Sequence, residues 1–258
     1  MDISMKDQRV VVTAGAQGIG LAISETFVAA GARVHLCDVN PEFIASARAK
    51  LPTVTTSLTD VSNEDHVRAM FADLEQRWGT LDVLVNNAGV AGPTAEVEST
   101  ELSEWLQTIA VNLTGTFLCT RSAVPLIRQA GGGSIVNLSS AAGRLGFPLR
   151  SPYSASKFGV IGLTKTWAME LGPSKIRVNA ILPGVVTGER QERVISAKAA
   201  ALGIDHEDMR ERLLSRVSMR MMVSPYDIAN QILFICSPAG QTISGQSISV
   251  CGNVELLG

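Results

Sequence analysis

Thr13 to Gly20 reads TAGAQGIG, three glycines set between the strand-like run Val10-Val11-Val12 and an amphipathic segment that begins at Leu21. Glycine lets backbone pass close to a group that a side chain would hold away. Where such a turn joins a first strand to a first helix, the helix offers unpaired N–H groups and the positive end of its dipole, which suits a pyrophosphate. A bare glycine cluster also fits an ordinary turn. The strand before it and the helix after it are what make Gly15, Gln17, Gly18, Ile19 and Gly20 a candidate dinucleotide cradle.

The rest of the chain supplies the frame for that cradle. Strand-like runs alternate with helix-length segments: RVVVTA from Arg9, RVHLC from Arg33, TVTTSL from Thr53, LDVLVN from Leu81, GSIVNLS from Gly133, IRVNAIL from Ile176 and QSISVCG from Gln246. Most are unbroken apolar runs, as in strands covered on both faces. The alternation predicts an α/β fold, a doubly wound parallel Rossmann sheet of seven strands with helices on both faces. Pro41, Pro152 and Pro225 fit first helical turns, where a missing N–H costs nothing. Residues 1–258 read as a single domain. The interval from Val185 to Val223 interrupts the alternation after the sixth strand, reads as helical, and is too long for a plain connection. It is expected to be a substrate lid over the carboxyl ends of the strands.

Composition narrows the partners. In 258 residues, 46% hydrophobic and 18% charged, the formal net charge is −2, which speaks against a nucleic-acid backbone or anionic lipid and for a small molecule. Cys37, Cys119, Cys236 and Cys251 lie far apart with no CxxC pair, so neither a metal site nor a disulfide framework is expected. The opening MDISMKDQR has Asp2 and Asp7 and no apolar stretch, and the uncharged run Ile228 to Val254 is broken by Ser, Pro and Gly. No secretory signal and no membrane span are expected, and a reducing, cytoplasmic setting fits.

The second strand ends at Asp38, eighteen residues after Gly20, close to the ~20-residue offset at which an acidic side chain takes the ribose hydroxyls of a dinucleotide. A carboxylate there repels a 2′-phosphate, which favours NAD over NADP, and the neutral Gln17 in the glycine turn agrees. Read alone, Asp38 is equally a strand-end turn residue or a helix cap.

With TAGAQGIG stand "DV" at Asp60-Val61, "NNAG" at Asn86 to Gly89, "VNLTG" containing Asn112, "IVNLSSAAG", "YSASK" from Tyr153 to Lys157, and "LPG" ending at Gly184. In this order and spacing the chain resembles the short-chain dehydrogenase/reductase family over essentially its whole length. The resemblance implies that Ser140, Tyr153 and Lys157 are catalytic, with Asn112 opening its helix to a water that connects the lysine to solvent. Ser139 is the alternative to Ser140 by a one-residue slip. It also implies that Asp60 with Val61 holds the adenine end, and that Asn87, Ala88 and Gly89 lie along the ribose and phosphates. Pro183, Gly184, Val186 and Thr187, with Tyr153 and Lys157, would flank the nicotinamide side. The residues read consistently with these roles. Tyr153 and Lys157 are four apart and emerge on one helix face; a phenol is a poor base at neutral pH, and an adjacent ammonium favours its phenolate. Asparagine is a poor former of helix interiors, whether Asn112 opens the helix or merely bonds within it.

The chain departs from the family pattern in three places. Ala14 stands where the family's TGxxxGxG has its first glycine, so a slightly altered turn is implied. Gly188 stands where the threonine after the PG turn is usual, so either it or Thr187 meets the nicotinamide. Cys251 stands where an aspartate is common, and reads as structural.

The expected activity is NAD-dependent interconversion of a secondary alcohol and a carbonyl on a small polar substrate, such as a sugar, polyol or hydroxy acid, with Tyr153 as general acid/base. The rivals are an NADPH-dependent ketone reductase of the 3-oxoacyl type and a non-catalytic nucleotide sensor. At the expected mouth, Arg144, Arg150 and Arg190 either grip an anionic substrate or are simply solvated. The methionines Met219, Met221 and Met222 read as lid packing. Helices 102–129 and 153–171 are apolar around most of their circumference, and family members pair through them, so a homodimer or homotetramer is expected.

Overall fold

The computed structural model describes residues 3–257; within these, nothing is assigned to the side chains of Arg190, Ala197, Lys198 and Ala201. Seven parallel strands form one sheet: β1 (Arg9–Thr13), β2 (Arg33–Asp38), β3 (Thr55–Leu58), β4 (Val83–Asn86), β5 (Gly133–Leu138), β6 (Ile176–Pro183) and β7 (Ser247–Val250). Their order in space is β3-β2-β1-β4-β5-β6-β7. The direction of winding reverses between β1 and β4, and the carboxyl ends there open a crevice, the place where this architecture takes its ligands.

The apolar strands are explained by what covers them. Val10 and Val12 of β1 pack into one cluster with α1 (Gly18–Ala29), α2 (Pro41–Lys50) and α9 (Pro225–Cys236). Val11 between them packs on the opposite side with α3 (Glu64–Trp78), α5 (Gly115–Gln129) and α6 (Ser151–Leu171). Alternate residues of one strand thus enter two cores, so no position from Val10 to Thr13 can be polar without leaving a buried group to satisfy. The exceptions are the two edge strands, β7, SISV, and the more polar β3, TTSL, both mostly half-buried; β3 bears on the core. Its polar residues serve a neighbour: His35 of β2 is bonded at Nδ1 to Thr55 Oγ1 (2.9 Å) and at Nε2 to Ser57 Oγ (3.0 Å).

The expected helix over 102–129 is present as one helical run with a widened turn at Asn112. α4 (Leu102–Ile109) gives way to a π-helical stretch at Ala110–Thr114 before α5 begins. The cause lies at Asn112, whose side chain is drawn into bonds outside the helix; such widened turns recur at functional sites.

Between Val185 and Val223 the chain forms α7 (Glu189–Leu202) and α8 (His206–Leu214). They share a small core of Ile195, Ala199, Met209 and Met222, while Met219 and Met221 are exposed. The neck of this insertion is closed by backbone bonds from Thr187 N to Val223 O and from Val223 N to Val185 O, each 2.9 Å. Its base is laced to the C-terminal segment by Ser218 N to Asn253 O and Glu255 N to Arg216 O, also 2.9 Å each. Among the described residues no helix is long and apolar enough to cross a membrane.

Candidate active site

The glycine turn is held from two sides. Asn87, just past β4, donates from Nδ2 to Thr13 O (2.9 Å) and Ala14 O (3.0 Å). Thr13 Oγ1 in return accepts from the backbone N–H groups of Asn87 (2.9 Å) and Ala88 (3.0 Å). From α1, the fully buried Ser24 donates towards Gly15 O (3.2 Å) and Gly20 O (2.9 Å). A Cβ on Gly20 would lie 2.0 Å from Ala14 O and 2.6 Å from Asn87 Nδ2, so only glycine closes this turn. At Gly18 a Cβ would meet nothing within 4 Å; here the first turn of α1 is open, with Gln17 exposed and Ile19 half-buried. That open cradle, at a twelve-residue helix with no acidic residue in its first turn, fits a pyrophosphate. Ala14 has φ +48°, so the departure from the family glycine keeps the left-handed backbone and adds the Cβ crowding that glycine avoids. Thr13 and Ser24 were not legible as site residues: their partners are backbone groups that only the folded turn presents.

At the end of β2 the buried Asp38 accepts from Asn40 N–H at Oδ1 (3.1 Å), while its Oδ2 is buried with no partner. An acceptor in that condition costs about 1–3 kcal/mol until a donor arrives. The two hydroxyls of a ribose are such donors. Asp60 is turned into its own loop, accepting at Oδ1 from Ser62 N–H (2.9 Å) and Ser62 Oγ (2.6 Å). Val61 is buried against Gly115. The thiol of Cys37, beside Asp38, is pushed up to about 12 by burial, which makes it chemically silent.

Across the crevice, α6 brings in Tyr153 and Lys157. Lys157 is 4% exposed, and its Nζ donates to Leu138 O at 2.8 Å and lies 5.7 Å from the centre of the Tyr153 ring. The two serines at the end of β5 are differently placed. Ser139 is buried and donates to Lys157 O at 2.8 Å. Ser140 is half-buried, and its Oγ accepts from Ala142 N–H at 3.1 Å, an arrangement that leaves its own proton to donate. Fully buried Asn112 accepts from Val90 N–H (2.8 Å) and donates to Val90 O (3.0 Å) and Ser156 Oγ (3.1 Å). Ser156 in turn donates to Tyr153 O (2.7 Å). Gly89 covers this junction: a Cβ on it would sit 3.4 Å from both Asn112 Oδ1 and Lys157 Nζ.

On the third side, Pro183 ends β6 and Gly184 lies against Cys251, whose Cβ would be 2.6 Å from a Cβ on that glycine. Cys251 Sγ accepts from Val254 N–H at 3.5 Å, a packing and turn role. Val186 bridges to Val223, so its own N–H and C=O point away from that partner. Thr187 is exposed with its N–H committed to Val223 O, and Gly188 begins α7 without a hydroxyl to offer. The candidate substrate arginines separate. Arg144 reaches Ser249 on β7 (3.2 Å), and Arg150 is engaged with the segment after β4 at Ala91 and Thr94. The Arg190 side chain lies outside the described residues.

The family described as enoyl-(acyl carrier protein) reductase matches residues 13–253, a stretch that runs from the glycine turn through Asp38, Ser140, Tyr153 and Lys157 to Cys251. The chain is a short-chain dehydrogenase/reductase. Among its relatives, the probable galactose dehydrogenase GalD of Rhizobium meliloti is 36% identical over 255 residues, covering 97% of this chain and 96% of that one. Two solved structures superimpose closely. An actinorhodin polyketide ketoreductase variant with NADPH has TM-score 0.91 and 30% identity, covering 95% of this chain and 96% of that one. An NAD+-bound xylitol dehydrogenase has TM-score 0.89 and 28% identity, covering 96% and 98%. As a member of this family the chain is an NAD(P)-dependent oxidoreductase.

Proposed function

We propose that this enzyme uses NAD to interconvert a secondary alcohol and a carbonyl compound on a small polar substrate, a sugar, polyol or hydroxy acid. The observation that carries the cofactor choice is Asp38 Oδ2, buried and unpartnered at the end of β2. It suits the two ribose hydroxyls of NAD and opposes the 2′-phosphate of NADP. The bound cofactor supplies the hydride acceptor. Tyr153 takes the substrate hydroxyl proton, Lys157 places its ammonium beside the Tyr153 ring, and Ser140 donates to the substrate oxygen. Asn112 holds Val90 and the start of α6 in register around them. The polyol and sugar names of two of the similar proteins support the substrate class.

The second reading is a ketone reductase using NADPH, favoured by the similarity to the polyketide ketoreductase. Cofactor reduction by the purified protein across polyols, aldoses and hydroxy acids, each with NAD and with NADP, separates the two. Turnover with NAD alone supports the first; activity only on ketones with NADPH replaces it. Exposed Leu102, Leu106, Phe117, Phe158 and Met169 on α4, α5 and α6 support assembly as a homodimer or homotetramer through these helices.

A further inference from the structure

Residues 90–95, which follow β4, form neither helix nor strand, yet they are fastened along their length. Val90 is held by Asn112, and Ala95 N–H donates to Leu149 O at 3.0 Å. Between these points one side chain does the fastening. Arg150, at the N-terminal boundary of α6, donates from Nη2 to Ala91 O (2.7 Å) and from Nη1 to Thr94 Oγ1 (3.2 Å). The same guanidinium carbon lies 5.5 Å from the centre of the Tyr153 ring and 5.4 Å from that of Phe147, and Phe147 meets Tyr153 edge-on at 6.5 Å. A planar fork that bonds along its edge and stacks on its face is a geometry lysine cannot reproduce.

We propose that Arg150 is a positioning residue: it fixes segment 91–95 against the Tyr153 ring and so sets the width of the substrate pocket beside the carbon that reacts. This rests on Tyr153 being the proton-exchanging group. Gripping an anionic substrate is a different role: each terminal nitrogen makes a bond to the wall itself, at Ala91 and Thr94. The wall they hold limits the size of the substituent on the hydroxyl-bearing carbon, so the pocket favours the smaller of two homologous alcohols.

Two variants test this. Arg150→Met keeps an unbranched apolar stem and removes every donor; Arg150→Lys keeps the charge and one bond. Hydrogen exchange at the Ala95 amide is expected to accelerate about tenfold or more in Arg150→Met and to be partly restored in Arg150→Lys. With an alcohol that the wild type oxidises and its homologue one carbon longer, the preference in kcat/KM for the shorter is expected to fall about tenfold in Arg150→Met, chiefly through KM. NAD affinity should change by less than about twofold, since the cradle is built elsewhere. Unchanged exchange at residues 90–95, or an unchanged preference, overturns the proposal. So does a KM increase confined to anionic substrates and equal for both homologues, which means a grip rather than a wall. If Arg150→Met does not fold, the Lys variant decides by the same two readouts. A wild type that oxidises no alcohol with NAD counts against the proposed reaction instead, and the exchange measurement then decides the Arg150 claim by itself.

Discussion

Replacing Asp38 by asparagine removes one charge and almost no volume, and its effect on the free protein and on NAD binding should have opposite signs. In the free protein Oδ1 accepts from Asn40 N–H, which an amide oxygen can also do, while Oδ2 is buried without a donor. Exchanging that oxygen for a neutral NH2 still leaves a buried polar group without a partner, but it removes the charge, the larger part of a penalty of about 1–3 kcal/mol. A gain near 1 kcal/mol corresponds to a rise of about 2–4 °C in Tm for a chain of this size. With NAD present, hydrogen bonds to a charged acceptor, worth about 1.5–3 kcal/mol, are weakened, so the Kd for NAD rises roughly 10- to 150-fold. Removing the repulsion of a 2′-phosphate should leave NADP binding unchanged or improved. Calorimetric titration with both nucleotides and thermal unfolding of the free variant read all three quantities. An unchanged NAD affinity, or a free variant destabilised by more than about 2 kcal/mol, would refute the reasoning and make Asp38 a turn residue of the β2–α2 junction.

Ala14 has φ +48°, and Ala14→Gly should stabilise the protein by about 0.5–1 kcal/mol in urea unfolding, the relief of left-handed strain less the extra freedom of glycine in the unfolded chain; a loss of stability would show that the Cβ contributes packing. Burial lowers His35 to about 4 from its ordinary 6.5, so the folded state holds it neutral while the unfolded chain takes up a proton as pH falls below about 6.5. Stability is therefore lost between about pH 6.5 and 4, by up to about 3 kcal/mol, and His35→Gln should flatten that arm of the unfolding free energy against pH. Cys37, Cys119 and Cys236 are buried with thiols pushed up by burial, whereas Cys251 is half-exposed. A thiol reagent should label a single cysteine quickly in the native protein, and Cys251→Ser should abolish that fast phase.

What could be read from the chain was local. The glycines of TAGAQGIG, the offset to Asp38 and the four-residue step from Tyr153 to Lys157 are short-range patterns tied to backbone geometry, and the alternation of buried runs is enough for a doubly wound sheet. What could not be read depends on groups brought together from afar. Asn87 closes the glycine turn across more than seventy residues, and Ser24 does so through carbonyls whose direction exists only in the folded turn. The neighbours Ser139 and Ser140 are distinguishable only once Lys157 O lies within 2.8 Å of one of them. β3 carries little apolar signal because it is an edge strand whose polar residues satisfy a buried histidine. Asn112 was conspicuous as a poor helix former, but the π-helical turn that accommodates it depends on Val90 and Ser156 arriving from other elements.

The central claim is that Tyr153 exchanges a proton with an alcohol whose hydride passes to NAD. The most direct test compares NADH formation by the wild type and Tyr153→Phe on the best substrate of the polyol, sugar and hydroxy-acid panel, with NAD affinity measured on both. The account predicts a fall in kcat of about 10²- to 10⁴-fold, the scale of general acid–base catalysis, with NAD binding unchanged. A Tyr153→Phe enzyme that keeps its turnover, or a wild type that reduces ketones with NADPH and oxidises nothing with NAD, would contradict it.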